Sequence, residues 1–254
     1  RIARPDSEDE VSNLIDTLNL TFDELQASFN RIQRFSADAA HELNTPLTAI
    51  RGSMEVCLGR ERAVDEYQTV LAESVEQITS LSRLVRDLLL LAKPGSQRQK
   101  DLFVPVDYSA VVDRAVEQAQ AVGDTVAVRV LPDIEPGLIL PGNESLLLRM
   151  CYNLIHNGIR FSCSGSTVTV GLQRQENSII LEVQDHGIGI HPEDREKIFE
   201  QFYQVDKSRN TGTGLGLSIV RWIVDLHDGR IDVESEPGCG ALFRVVLPIH
   251  SSSA

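Results

Sequence analysis

The sequence predicts a helical hairpin that pairs with a second copy into a dimeric four-helix bundle, followed by an α/β sandwich. Three observations predict it. From Val11 to about Leu91, apolar residues recur at helical spacing with almost no strand signal. The stretch AKPGSQRQKDL, residues 92–102, breaks that pattern, because Pro94 and Gly95 stop a helix and polar residues follow. Beyond it, alternating strand patterns take turns with amphipathic helical segments, as expected for one sheet covered by helices.

Each element follows from its own pattern. Counting sevens from Val11 gives Val11, Leu18, Leu25, Ile32 and Ala39, with Leu14, Ile15, Phe22, Phe29 and Phe35 beside them. That stripe is wide enough for a bundle core. A second stripe runs through Leu71, Ile78, Val85 and Ala92, flanked by Val75, Leu81 and Leu88, and the two helices join near GRERAVDE, residues 59–66. A hairpin buries such stripes poorly alone, so pairing with another copy is the expected solution. In the second half, TVAVRVL (125–131) and STVTVGL (166–172) alternate like half-buried strands, and SIILEVQD (178–185) is a more continuous apolar strand. RIDVESEPGCGALFRVVLP (230–248) reads as a hairpin around Pro237, Gly238 and Gly240, and helices are expected at about 107–121, 143–161 and 213–227.

Composition narrows the function classes. A chain of 254 residues with 42% hydrophobic content can bury a sizeable core. The formal charge of -13 argues against a nucleic-acid surface, which needs a local excess of Lys and Arg. Cys57, Cys151, Cys163 and Cys239 are scattered without a CxxC pair, so neither a zinc site nor a disulfide framework is expected. No run of ~18 apolar residues occurs to span a bilayer.

Four short stretches carry chemistry. In FSADAAHELNTPLTAIRG, residues 35–52, His41 falls outside the apolar seam and toward solvent. Glu42 beside it can hydrogen-bond one ring nitrogen and raise the basicity of the other, making a nucleophile at neutral pH. Pro46 has no amide hydrogen, so the Glu42 carbonyl loses its helical partner and a hinge is expected under the histidine. In NLIHNGIRFS, residues 153–162, Asn153, Asn157 and Arg160 share one helix face opposite Leu147, Cys151 and Leu154. Two carboxamides on that face suit a hydrated Mg²⁺ and phosphate oxygens. QDHGIGI, residues 184–190, puts Asp185 at a strand end before two glycines, where a carboxylate can accept from an adenine amino group. TGTGLGLSIVRWIVDLHDG, residues 211–229, sets Gly212, Gly214 and Gly216 before an amphipathic helix, whose backbone amides and positive end can face phosphates.

Residues 35–52 resemble the phospho-acceptor box of sensor histidine kinases, usually close to FxxxxSHELRTPLTxIxG, with Asn44 in place of the common arginine. The other boxes of that family follow in the expected order, and the resemblance covers nearly the whole chain. It implies a Bergerat-type ATP-binding fold for the second half, with ATP and Mg²⁺ as cofactors. By it, His41 is the acceptor, Glu42 orients it, and Thr45 positions a water for dephosphorylating the partner regulator. Asn157 becomes the metal ligand, and the nucleotide is held by Asn153, Asn157, Arg160, Phe161, Asp185, Gly187, Gly189, Ile190, Thr213, Gly214, Leu215, Gly216 and Leu217.

The family pattern NLxxNAxKYT stands here with Gly158, Arg160 and Phe161, which keeps the charge and loses the tyrosine hydroxyl. IFEQFYQVDKSRN, residues 198–210, resembles the lid over ATP, anchored by Phe199 and Phe202. Gln204 replaces a frequent arginine there, so the cation for the γ-phosphate falls to Lys207 or Arg209.

The resemblance also divides the chain. Residues 1–33 correspond to the second helix of a HAMP linker, 34–93 to the dimerisation and phosphotransfer domain, 94–102 to a linker, 103–250 to the ATP-binding domain and 251–254 to a tail. The implied partners are a second copy through the bundle and a response-regulator receiver domain, with no nucleic acid. Because HAMP modules follow membrane helices and the chain begins at Arg1, it reads as the cytoplasmic portion of an inner- or plasma-membrane sensor. Two rivals stand beside this reading: an ATPase or chaperone sharing the nucleotide fold, against which the HELNTP box argues, and a non-catalytic dimeric scaffold, suggested by Gln204.

Overall fold

The computed structural model describes residues 10–91, 100, 103–205 and 213–249. Its contacts divide the chain into two units, Arg1–Leu88 and Leu89–Ala254. Apart from Lys100, the expected linker from 94 to 102 lies outside the described residues, as does the tail at 251–254.

The first unit is two helices. α1 (Glu10–Leu58) runs unbroken across the expected boundary at residues 33 and 34 and through Pro46. α2 (Val64–Leu91) opens with Asp65 and Glu66, whose charges suit the positive end of a helix. Between them Arg62 donates to Glu66 at 2.9 Å and to the Val56 carbonyl at 3.2 Å, which ties the turn to both helices.

The stripe expected on α2 resolves into two seams. Tyr67, Val70, Ser74, Gln77, Leu81, Leu84 and Leu88, spaced alternately by three and four, are buried or half-buried within the chain. Leu71, Val75, Ile78, Val85 and Leu89 stay exposed, Val75 at 63%. On α1, Leu18, Leu25, Phe29 and Ile32 in the N-terminal part are exposed, while Ile50 and Cys57 nearer its C-terminus are buried. One face of α2 is thus covered internally, and the other presents apolar surface. Among the described residues no helix is long and apolar enough to cross a membrane.

The second unit starts with a feature absent from the sequence reading. β1 (Val104–Asp107) pairs antiparallel with β3 (Ile139–Gly142), Pro105 opposite Pro141. Four-residue strands containing proline, which cannot donate to a ladder, leave no recognisable pattern. The main sheet has the order β2-β4-β5-β7-β6, formed by β2 (Arg129–Ile134), β4 (Thr167–Gln175), β5 (Ser178–Gln184), β6 (Arg230–Ser235) and β7 (Ala241–Pro248). The pair β2–β4 is parallel and the others are antiparallel.

The strand expected at 125–131 starts later. α3 (Tyr108–Thr125) runs on to Thr125, Ala127 takes φ 57°, and the Val128 amide bonds back to the Gly123 carbonyl at 2.9 Å. A side chain at Gly123 would overlap that Val128 carbonyl, so glycine there lets the helix close on itself before β2 begins.

Two more helices complete the layer over the sheet: α4 (Glu144–Phe161) and α5 (Gly216–Leu226). Asn143 caps α4 by accepting from the Leu146 amide at 3.1 Å. Alternate residues of the strands, including Val168, Val170, Leu181, Val183, Phe243 and Val245, are buried together with Leu147, Met150 and Leu154 of α4 and Ile219 and Ile223 of α5. Each such side chain contributes about 1.5–3 kcal/mol on burial. That core holds the ends of β5, α4 and α5 in fixed relation.

Candidate active site

In the first unit His41 is exposed, Glu42 half-buried and Thr45 exposed. Consecutive helical positions point about 100° apart. Accordingly, among the described residues no hydrogen bond joins His41 to Glu42, contrary to the pairing expected from the sequence. The Thr45 hydroxyl donates to the His41 carbonyl at 3.0 Å, one turn back, rather than to the Glu42 carbonyl that Pro46 leaves without its partner.

In the second unit the three glycine and asparagine stretches converge. The Asn153 amide donates to the Gly216 carbonyl at 3.3 Å, linking the middle of α4 to the start of α5. The Phe161 carbonyl at the end of α4 accepts from the Ile188 amide at 3.3 Å, and Ser162 bridges to Gly187. The loop after β5 is therefore stitched to the end of α4. On the opposite face of α4, Leu147, Cys151 and Leu154 are fully buried, as the helical spacing requires.

Asp185 sits at the centre of this cluster, only 6% exposed. Both of its hydrogen bonds fall on Oδ1, which accepts from the Gly187 amide at 2.9 Å and the Ala241 amide at 3.3 Å. The second oxygen keeps its acceptor capacity. Burial pushes the carboxyl above the usual range, and the two amides and His186 partly oppose that shift.

Asn157 is half-buried, and no described residue bonds its carboxamide. Arg160, also half-buried, lies 5.0 Å above the Phe161 ring, and its buried Nε has no partner. Burial lowers its pKa, and no carboxylate offsets that. An unpaired guanidinium beside an unpaired carboxamide fits an anionic ligand with its cation. Among the described residues there is no cluster of three or more His, Cys, Asp or Glu to hold a metal.

The glycines divide into two kinds. Side chains at Gly187 and Gly189 would overlap the carbonyls of Phe161 and Glu236, so these residues are required by contacts within the protein rather than by open space for a ligand. Gly214, at φ 68°, packs against the Phe202 backbone, whose amide donates to the Gly214 carbonyl at 3.0 Å. Gly216, the first residue of α5, has nothing within 4 Å of where a side chain would stand. That open helix start is the part shaped like a phosphate cradle.

The remaining expected residues contribute less directly. Leu215 is fully buried, Thr213 and Leu217 are half-buried, and the Ile190 amide is occupied by the Ser235 hydroxyl at 2.8 Å. Lys207, Arg209 and Gly212 lie outside the described residues. Phe199 meets Phe243 edge-on at 6.5 Å and lies under Arg221 at 5.2 Å.

Sequence reasoning passed over two groups. Ser235 joins the loop to the β6–β7 turn by also donating to the Gly240 carbonyl at 2.6 Å. His227 is buried between α5, β3 and Phe103. A histidine directly after the last turn of an apolar helix was the available signal for it.

Residues 142–251 match the family described as histidine kinase-, DNA gyrase B- and HSP90-like ATPase, and residues 31–97 match the His Kinase A (phospho-acceptor) domain. The chain is 37% identical to the sensor histidine kinase RppB of Synechocystis sp. over 88% of its length and 50% of the relative. It is 32% identical to the sensor protein IrlS of Burkholderia pseudomallei over 99% of its length and 55% of the relative. The chain thus spans about half the length of the curated relatives it matches. Among solved structures it is similar to the mycobacterial sensor histidine kinase MprB, with 29% identity and a TM-score of 0.51 over 58% of this chain and 97% of that one.

Proposed function

The chain belongs to the sensor histidine kinases of two-component systems, and from that premise we propose that it transfers the γ-phosphoryl group of ATP to His41 and from there to an aspartate of a response-regulator receiver domain. The carrying observation is Asp185, a buried carboxylate with both protein hydrogen bonds on one oxygen. The other oxygen reads the adenine amino group. Arg160 and the open N-terminus of α5 at Gly216 hold phosphate oxygens, and Asn157 ligates Mg²⁺. Mg²⁺, when bound, neutralises charge on the phosphates. Lys207 or Arg209 supplies a further cation from the lid.

In the transfer step an unprotonated ring nitrogen of His41 attacks phosphorus in line; the N–P bond forms as the bond to the ADP oxygen breaks. Glu42 supports this by accepting a hydrogen bond from the other ring nitrogen, which requires its side chain to turn toward the ring. The exposed apolar faces carrying Leu71, Val75, Ile78 and Val85 support association of two copies into a four-helix bundle. Thr45 supports dephosphorylation of the regulator: its hydroxyl donates to the His41 carbonyl and retains lone pairs to accept from a water.

Incubation with γ-labelled ATP tests the reading. Acid-labile, base-stable label on the protein, absent in His41→Gln, is the expected result. Released phosphate without labelled protein would point to an ATPase, and neither signal to a scaffold.

A further inference from the structure

Two hydrogen bonds lock α4 to α5, one at each end of α5. The first, from Asn153 to the Gly216 carbonyl, is part of the nucleotide cluster. The second lies at the far end, where the Asn143 amide donates to Nε2 of His227 at 3.4 Å. Between these anchors α4 advances ten residues and α5 eleven, about 15 and 16 Å of helix. The helices therefore run antiparallel, with α5 clamped along its length against the N-terminal half of α4.

His227 is built into its end of that clamp. Its Nδ1 lies 2.7 Å from the Ile223 carbonyl, which can only accept, so Nδ1 carries the hydrogen and Nε2 is left as the acceptor. The ring is 5% exposed and stacks on Phe103 at 4.4 Å with an interplanar angle of 20°. A side chain at Gly142 would come within 2.8 Å of Nε2, so the glycine admits the ring. The charged groups around it are few. Asp228 is bonded by Lys100 at 2.6 Å and 2.7 Å, and Glu144 on the first turn of α4 is paired with Arg114 at 2.5 Å. Asp225, on the same turn as the ring, is exposed, and neither β3 nor Phe103 brings a charge.

We propose that His227 is a positioning residue for the nucleotide site: its neutral ring clamps the N-terminus of α4 to the C-terminus of α5 and so sets the register at which Asn157 and Arg160 face the helix start at Gly216. The inference rests on the reading of that cluster as an ATP site. It adds a residue remote from the nucleotide, in the β3–α4 and α5–β6 corner, that acts only through the helices it joins. Protonation would place a hydrogen on Nε2 against the Asn143 N–H, donor facing donor, and release the clamp. Burial pushes the His227 pKa down, opposed by the Ile223 carbonyl and Asp228 and reinforced by Lys100. The neutral ring thus contributes stability that is complete above the ordinary histidine range and lost as pH falls from about 6.5 toward the lowered value.

The test compares His227→Phe, which keeps a stacking ring without an acceptor, with His227→Gln, whose amide oxygen can accept without titrating near neutrality. ATP affinity is measured by calorimetry with Mg²⁺, a readout that does not pass through phosphorylation of His41. Amide exchange at Asn143, Leu146 and Leu147 is measured without nucleotide. At pH 8 the phenylalanine variant is expected to bind ATP about five-fold more weakly, the factor for one ordinary hydrogen bond, and to exchange faster at Asn143. The glutamine variant should restore both. Below pH 6.5 the wild type should weaken by a step that the glutamine variant lacks.

Wild-type affinity in the phenylalanine variant, equal losses in both variants, or the same pH step in wild type and glutamine variant would each overturn the proposal. Should the phenylalanine variant not fold, the comparison of pH profiles decides alone. Absence of ATP binding in the wild type would instead sink the nucleotide reading, and the exchange rates would still report whether His227 holds α4.

Discussion

Replacing Asp185 by asparagine exchanges one oxygen of a buried carboxylate for an amino group. The amide oxygen can keep both protein bonds, from Gly187 and Ala241, because both fall on Oδ1. The NH₂ group then occupies the place of Oδ2 and opposes the adenine amino group, donor against donor. Loss of a hydrogen bond to a charged acceptor, together with an unsatisfied donor, costs about 2–4 kcal/mol, or roughly thirty- to a thousand-fold in ATP affinity. Stability should move the other way. Burial raises the carboxyl pKa above its unfolded value, so the stability this group confers is full at low pH and is lost as pH rises through the raised value. At neutral pH the neutral amide escapes that loss, and the melting temperature should equal or exceed that of wild type. Calorimetric titration and thermal unfolding of the same preparation measure both quantities. Binding within two-fold of wild type would refute the adenine-reading role, and a melt lowered by many degrees would make Asp185 a structural residue of the β5–loop junction.

Three further outcomes follow from the same geometry. His41→Gln should abolish labelling of the protein while ATP affinity, measured by calorimetry, stays unchanged, because the exposed acceptor and the nucleotide cluster belong to different units. Thr45→Ala removes one exposed hydroxyl bond to the His41 carbonyl, a change of about 0.5 kcal/mol or less in stability; it should retain autophosphorylation and lose regulator dephosphorylation in time courses of labelled protein, and unchanged dephosphorylation would remove Thr45 from that step. Ile78→Glu places a charge on the apolar face of α2, where Ile78 is 47% exposed in the single chain, and should shift the protein from dimer to monomer by sedimentation while leaving ATP binding intact.

What the sequence determined by itself was local. Helical spacing placed Asn153, Asn157 and Arg160 on one face of α4 with Leu147, Cys151 and Leu154 opposite, because a 3.6-residue period leaves no other arrangement. The start of α4 near residue 143 and the β6–β7 turn at Pro237 to Gly240 were legible because their chemistry is complete within a few residues. What only the tertiary structure decided depends on groups distant in the chain. Heptads on α2 could not separate the seam of Tyr67, Ser74, Leu81 and Leu88 from the face of Leu71, Ile78 and Val85, since both repeat every seven residues and only the approach of α1 distinguishes them. The resemblance assigned the glycines of DHGIG to the nucleotide, yet Gly187 and Gly189 are required by carbonyls of Phe161 and Glu236 that arrive from α4 and the β6–β7 turn. His227 owes its tautomer to Ile223 and its partner to Asn143, at a sequence separation of 84, a pairing that no local pattern encodes because burial and antiparallel helix packing create it.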